Sequence, residues 1–180
     1  EGEREAVEYI REQFTAAGLE GAALEEFELD TWAYERAEAI VGGMAIDLLP
    51  YNRCPACELE APIVDAGYGT EHALDKVRDK LQGSVAVMHL ALEPFTPPSP
   101  PNPRLQALAD AGVVAVVAID PKDGRRVEYH NGGDWREPET AEVPFPAVTT
   151  SREHGARLQK WAGEAKRIKL VVESRFYEAP

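Results

Sequence analysis

Residues 105–119 read LQALADAGVVAVVAI, a helical pattern that passes directly into an apolar run. Leu105 and Leu108 fall on one helical face, and Gly112 stands where a left-handed residue ends a helix. The run 113–119 has no polar alternation, which is typical of a strand buried on both faces. The stretch therefore predicts a helix followed by a central strand, as in an α/β sheet.

The same alternation of strands and helices continues on either side of this stretch. Further strands are expected at 24–32, 37–46, 63–67, 85–90, 143–149 and 168–172, and 47–61 is expected to be a loop. Helices are expected at 3–17, after Thr70 and after Ser151, where the hydroxyl residues are suited to N-caps. The order of elements after residue 83 favours at least some parallel pairing.

Composition limits the classes of function. The chain has 180 residues, 44% of them apolar, which is enough for one ordinary domain with a sizeable core. Its formal net charge is −13, and no basic patch is evident, so a nucleic-acid partner is not expected. No apolar stretch approaches the ~20 residues of a membrane-spanning helix, so no membrane partner is expected.

Cys54 and Cys57 form a Cys-x-x-Cys motif with three interpretations. A redox site needs the first cysteine at a helix N-terminus, and the following residues do not resemble such a helix. A structural zinc site needs two further ligands, and the four histidines show no ligand spacing. The third interpretation is a loop pair, either free or joined by a disulfide, and a disulfide would favour an oxidising compartment.

The segment 130–134 reads HNGGD, which suits either a metal or acid–base site or a turn. Asn131 and Gly132 are typical of a hairpin turn, which would join a strand at 125–129 to Trp135. The turn is the favoured interpretation. The many carboxylates are expected to form a solvated face. No nucleophile elbow, phosphate loop, dinucleotide fingerprint or His-Glu-x-x-His motif is present, so no catalytic, cofactor-binding or metal-binding residue is assigned.

Six prolines fall within residues 94–103, which should make this segment extended and stiff. A stand-alone interaction module could present such a segment to an aromatic groove of a partner. This function, and a small redox or metal-binding protein built on Cys54 and Cys57, are the two alternatives to the interpretation that follows.

Four stretches in order resemble the protease-associated (PA) domain. They are APIVDAGYGT at 61–70, VRDKLQGSVAV at 77–87, ALADAGVVAVV at 107–117 and VPFPAVTTS at 143–151. Residues 2–19, GEREAVEYIREQFTAAGL, resemble the first helix of the di-zinc aminopeptidase family, which commonly carries a PA domain inserted near the front of its catalytic domain. The resemblance implies a leading part of the peptidase domain at 1–48 and a PA domain at 49–178.

The fold implied by the resemblance is mixed α/β. It is a PA-like sandwich or open barrel of about six to eight strands with flanking helices, plus an N-terminal helix from the peptidase domain. The family's zinc ligands lie beyond residue 180, so zinc is expected in the missing catalytic domain and no activity is expected from this chain alone. Because members of the family are often exported, the resemblance implies an extracellular or periplasmic location, with a cytoplasmic location as the alternative.

The resemblance implies that the chain walls or gates a peptide-substrate cleft. Its partners would be a peptide or protein substrate and the missing catalytic domain, with a homo-oligomer as a further option. The long loop at 120–142 is the expected approach surface. Its candidate substrate-facing residues are Tyr129, His130, Asp134 and Trp135.

Overall fold

The helix and buried strand expected at 105–119 are both present in the computed structural model, which describes residues 2–28, 30–95, 101–130 and 145–178. The helix spans Pro101–Asp110, and every residue of the strand Ala115–Ile119 is buried. Gly112 lies between them with a φ of 78°, the left-handed conformation that a helix end favours. This prediction is confirmed.

The described residues contain five helices and eight strands. The helices are α1 (Gly2–Ala16), α2 (Glu71–Asp75), α3 (Arg78–Leu81), α4 (Pro101–Asp110) and α5 (Arg152–Gly163). The strands are β1 (Thr31–Val41), β2 (Met44–Ile46), β3 (Leu48–Pro50), β4 (Cys57–Asp65), β5 (Val85–His89), β6 (Ala115–Ile119), β7 (Ala147–Thr150) and β8 (Arg167–Tyr177). No helix in this part of the chain is long and apolar enough to cross a membrane.

Contacts divide the chain into two units. The first comprises Glu1–Thr31 with Glu178–Pro180, and it contains α1. The second, Trp32–Tyr177, contains α2–α5 and nearly the whole sheet. The boundary expected between residues 48 and 49 concerns the division between a peptidase domain and an inserted domain, and it stays a prediction.

The eight described strands form a sheet of order β2-β1-β8-β4-β5-β6-β7-β3. Strands β4 to β7 run parallel, and β8, β3 and β2 each pair antiparallel with a neighbour. The two edge strands, β2 and β3, are separated in sequence by Asp47 alone. Because consecutive Cα atoms lie only about 3.8 Å apart, the two edges must meet, and the sheet curls into a nearly closed barrel. The expected mixed α/β fold with an open barrel is confirmed.

Helix α5 packs against β4, β5 and β6. Leu158 on its inner face is fully buried. A Cβ built on Gly155 would lie 2.5 Å from Cγ2 of Ile119, so the absence of a side chain lets the helix approach β6 closely. Ser151 accepts a hydrogen bond from the amide of His154 at 3.3 Å, which confirms the N-cap expected there.

Several expected elements differ in the structure. Residues 24–28 are not in a strand, because this acidic stretch has no apolar surface to cover it, and Phe27 is 79% exposed. The expected loop at 47–61 contains β3 and the start of β4, where an alternation of outward Glu58 and inward Leu59 marks a strand. The strand expected at 125–129 is absent, and these residues have no regular structure.

The helix expected after Thr70 is divided into α2 and α3, because Val77 between them has a φ of −132° and leaves the helical region. The Thr70 hydroxyl does not cap α2. It donates instead to Glu93 Oε2 at 2.6 Å. The proline-rich segment 94–103 is not extended throughout, because its last three residues belong to α4, which begins at Pro101. Residues 96–100 lie outside the described residues.

Candidate functional site

The parallel strands β4 to β7 end at a common edge of the sheet, which we call the carboxyl edge. Asp65 ends β4, His89 ends β5, Asp120 follows β6 and Ser151 follows β7. Asp120 and Ser151 are both only 1% exposed. The carboxyl ends of parallel strands are the usual place for ligands in α/β sheets, so this edge is the candidate functional site.

Gln159 from α5 connects Asp65 and His89 at the carboxyl edge. Its amide Nε2 donates to Asp65 Oδ2 at 3.0 Å and lies 3.1 Å from Nε2 of His89. Because an amide nitrogen is a donor only, Nε2 of His89 accepts and the ring is neutral. Burial lowers the pKa of His89, against an opposing effect from Asp65, which favours the same neutral form. This network therefore orients its members by mutual hydrogen bonds.

Arg104 from α4 is buried against the loops that leave β4 and β5. Its side chain is 2% exposed, and its terminal nitrogens donate to the carbonyl oxygens of residues 68, 89, 90 and 91 at 2.9–3.2 Å. Burial lowers the pKa of this guanidinium. Four backbone acceptors offset the cost of burying the charge, so Arg104 fixes the turns that carry the site.

Asp120 organises the start of the loop that follows β6. Its Oδ1 accepts from the amide of Lys122 at 2.9 Å, and its Oδ2 accepts from the amide of Glu128 at 3.2 Å. The Lys122 ammonium forms a short ion pair with Glu128, which lowers the pKa of that carboxyl group. These contacts fold residues 120–128 back on themselves and bring Glu128 beside the buried carboxylate.

His130 is held against the sheet rather than extended into solvent. Its ring centroid lies 5.7 Å from that of Tyr51, and its carbonyl accepts from the amide of Asn52 at 2.9 Å. One ligand atom each of His130, Asp120 and Glu128 lie within 4.8 Å of one another. These three residues form a described group that could hold a metal ion.

The other candidate loop residues are placed only in part. Tyr129 is 52% exposed, and partial burial raises the pKa of its phenol. Asp134 and Trp135 lie outside the described residues. The structure therefore brings His130 into the carboxyl edge and leaves Tyr129 on the surface beside it. A substrate-facing role for these residues stays a prediction.

Cys54 and Cys57 are free thiols in the structure. Burial raises the pKa of Cys54 to about 12 and also raises the pKa of Cys57. A redox cysteine requires the opposite shift, since the thiolate is the reactive form. Cys57 begins β4 rather than a helix. The environment of the pair therefore suits packing better than thiol chemistry.

His154 lies in the first turn of α5. Its side chain is 14% exposed, and its Nδ1 accepts a hydrogen bond from the amide of Asp47 at 3.1 Å. His89 is only partly buried, at the end of β5.

Sequence reasoning did not find Arg104, Gln159 or the grouping of Asp120 and Glu128 with His130. A buried arginine directly after Pro103, in the first turn of a helix, has no distinctive local signal. The position of Asp120 directly after the buried strand β6 was the available indication, because a polar residue at the carboxyl end of a parallel strand is a site candidate.

No protein-family model matches this chain, and no curated protein matches it by sequence. Solved structures do match. The aminopeptidase from Aneurinibacillus sp. strain AM-1 has a TM-score of 0.67 at 20% identity, over 98% of this chain and 40% of that chain. BSAP, a zinc aminopeptidase from Bacillus subtilis, has a TM-score of 0.66 at 16% identity, over 96% and 39%.

A peptidase M28 precursor from Shewanella amazonensis SB2B is also similar, with a TM-score of 0.60 at 14% identity over 98% of this chain and 43% of that chain. This chain has the fold of part of a zinc aminopeptidase. It spans about two fifths of the length of the structures it matches.

Proposed function

We propose that this chain is a non-catalytic region of a zinc-dependent aminopeptidase, where it forms one wall of the path by which peptides reach the catalytic part. The observation that carries the proposal is the fold similarity, which extends over 98% of this chain but only 40% of a solved aminopeptidase. The PA-like motifs at 61–70, 77–87, 107–117 and 143–151 favour the same role.

The polar groups at the carboxyl edge support a scaffold role. Gln159 joins Asp65 and His89, and the terminal nitrogens of Arg104 donate to four carbonyl oxygens. Such a network supports the rigid presentation of neighbouring loops, which is what a cleft wall requires. The raised pKa of Cys54 disfavours the redox alternative.

Helix α1 suggests where the missing catalytic part would bind. None of its residues is buried, although Val7, Ile10 and Phe14 share one face and are 38%, 48% and 50% exposed. A helix gains most of its stability by packing an apolar face, so α1 needs a partner surface. We infer that this surface belongs to the catalytic part, with a second copy of the chain as the alternative.

The loop after β6 is the surface that would meet the substrate. Tyr129 offers an exposed aromatic ring, and the residues beside it are held to the sheet by Asp120 and Asn52. A rigid base with an exposed aromatic tip is suited to contact an extended peptide. The expected extracellular or periplasmic location would give the enzyme access to peptides outside the cytoplasm.

The test uses the longer enzyme that contains this chain. Tyr129→Ala is compared with wild type on an aminoacyl p-nitroanilide and on peptides of increasing length. We expect kcat/KM to fall about fivefold for the longer peptides, roughly 1 kcal/mol, and to stay unchanged for the p-nitroanilide. Tyr177→Ala is the matched control, because Tyr177 is 48% exposed but lies at the end of β8. Unchanged kcat/KM at every peptide length would refute the wall role of this loop.

A further inference from the structure

We propose that Asp120, Glu128 and His130 bind one zinc ion, which fastens the loop after β6 to the carboxyl edge of the sheet. This site lies within the present chain and is separate from any catalytic zinc in a longer enzyme. It does not depend on the proposed function.

The three ligand atoms are arranged around a common space. They lie within 4.8 Å of one another, so a central point exists roughly 2.8 Å or less from each, and movements of up to about 0.8 Å would give zinc bonds of ~2.0–2.2 Å. The fold of the loop brings these residues together. One residue separates Glu128 from His130, and Asp120 precedes Glu128 by eight positions.

The burial of the Asp120 carboxylate favours a cation nearby. Its carboxylate is 1% exposed, and within the described ranges its hydrogen bonds come from two backbone amides, with no Lys or Arg in ion-pair contact. A buried carboxylate is normally paired or coordinated to a metal. Glu128 adds a second carboxylate beside it, and this carboxylate is now paired with Lys122, which a metal ion would have to displace.

His130 supplies an independent indication of a ligand. Its Nε2 atom is enclosed and has no hydrogen-bond partner among the described residues. The ring itself is fixed by packing on Tyr51, and the backbone is fixed by Asn52. A ring nitrogen without a hydrogen-bond partner, on an imidazole that lies beside two carboxylates, is consistent with a metal ligand.

The ligand types select the metal. One imidazole and two carboxylates suit zinc, with water as the fourth ligand, and two carboxylates neutralise the charge of the ion. Calcium requires six to eight oxygen ligands, which this group does not supply. Bound zinc would close the loop between Asp120 and His130, and the ion pair from Lys122 to Glu128 would compete with it.

The experiment measures zinc binding to the untagged 180-residue chain by calorimetry and by metal analysis. We expect one zinc per chain, unaffected by excess calcium. Glu128→Gln and His130→Gln should each weaken binding at least tenfold. His72→Gln is the matched control, since His72 is exposed and outside the group, and it should bind as wild type. Circular dichroism checks that each variant is folded.

Two further measurements separate this site from other causes. Lys122→Met should tighten zinc binding several-fold, a change that a misfolded variant could not produce. Zinc should also slow tryptic cleavage after Arg125 and Arg126, which are exposed in the loop, in wild type but not in the His130→Gln variant. Cobalt substitution should give a spectrum without thiolate charge transfer, which excludes Cys54 and Cys57 as ligands. Absence of zinc binding, or less than threefold weakening in both ligand variants, would overturn the proposal.

Discussion

The backbone amide of Asp47 donates a hydrogen bond to Nδ1 of His154 at 3.1 Å, and this contact holds the single residue that joins the two edges of the barrel. The carbonyl of Asp47 is held as well, because it accepts from the Thr150 hydroxyl at 2.8 Å. The backbone amide of Asp47 is therefore partnered by α5, and its carbonyl is partnered by β7. These two contacts hold the backbone of the junction in place.

Replacing His154 by Ala removes the acceptor for the Asp47 amide. We expect the free energy of unfolding to fall by about 1 kcal/mol or less, because the amide of this exposed residue loses its partner and water replaces it only in part. Urea denaturation followed by circular dichroism measures this change. The His72→Ala variant should be unaffected, since that histidine is exposed on α2. Equal stability of both variants would show that the Asp47 contact contributes nothing.

Replacing Arg104 by Met should be far more damaging. Four backbone carbonyls at the ends of β4 and β5 lose their donors, and we expect a loss of about 3 kcal/mol or failure to fold. Arg78→Met, on an exposed arginine paired only with Asp75, should cost less than about 1 kcal/mol. Denaturant midpoints compare the two. A similar small loss at both positions would contradict the role assigned to Arg104.

Gly155→Ala tests the close approach of α5 to β6. Alanine favours helices by about 1 kcal/mol over glycine, yet its Cβ would lie 2.5 Å from Ile119, so we expect a net loss of about 1–3 kcal/mol. Gly163→Ala in the same helix has open space and should be neutral or stabilising. In an Ile119→Ala background the clash is removed, so Gly155→Ala should become favourable there. A stabilising Gly155→Ala in wild type would disprove the packing.

The thiol chemistry of the Cys-x-x-Cys motif gives a fourth prediction. Because burial raises the pKa of Cys54 to about 12 and also raises that of Cys57, little thiolate is present at neutral pH. We expect Cys54 in the native chain to react with iodoacetamide at least ~10-fold more slowly than free cysteine. Both thiols should react after unfolding without reductant. Rapid native labelling would support a redox pair, and two unreactive cysteines after unfolding would indicate a disulfide.

The elements that the sequence predicted well carry local signals. The buried run at 113–119 and the helix capped by Ser151 are each defined by consecutive residues, and both are confirmed. Strand β4 was only partly predicted, because Pro55 and the two cysteines are typical of a loop and obscure the alternation that begins at Cys57. The closing of the sheet through Asp47 depends on contacts between distant segments, which no local pattern reports.

The candidate site was harder to predict for the same reason. His130 was singled out within its HNGGD motif, but its neighbours Asp120 and Glu128 meet it only because the loop folds back over the carboxylate of Asp120. The four carbonyl acceptors of Arg104 likewise come from turns at two separate strands. Side-chain type suggested the chemistry, and the three-dimensional arrangement had to come from the structure.

We propose that this chain is a non-catalytic part of an aminopeptidase, so it should not hydrolyse peptides by itself. The most direct test incubates the purified 180-residue chain, saturated with zinc, with a set of peptides and measures released N-terminal amino acids by mass spectrometry. We expect no release above the buffer blank, even with zinc bound at Asp120, Glu128 and His130. Steady release of amino acids that stops on chelation of the metal would contradict it.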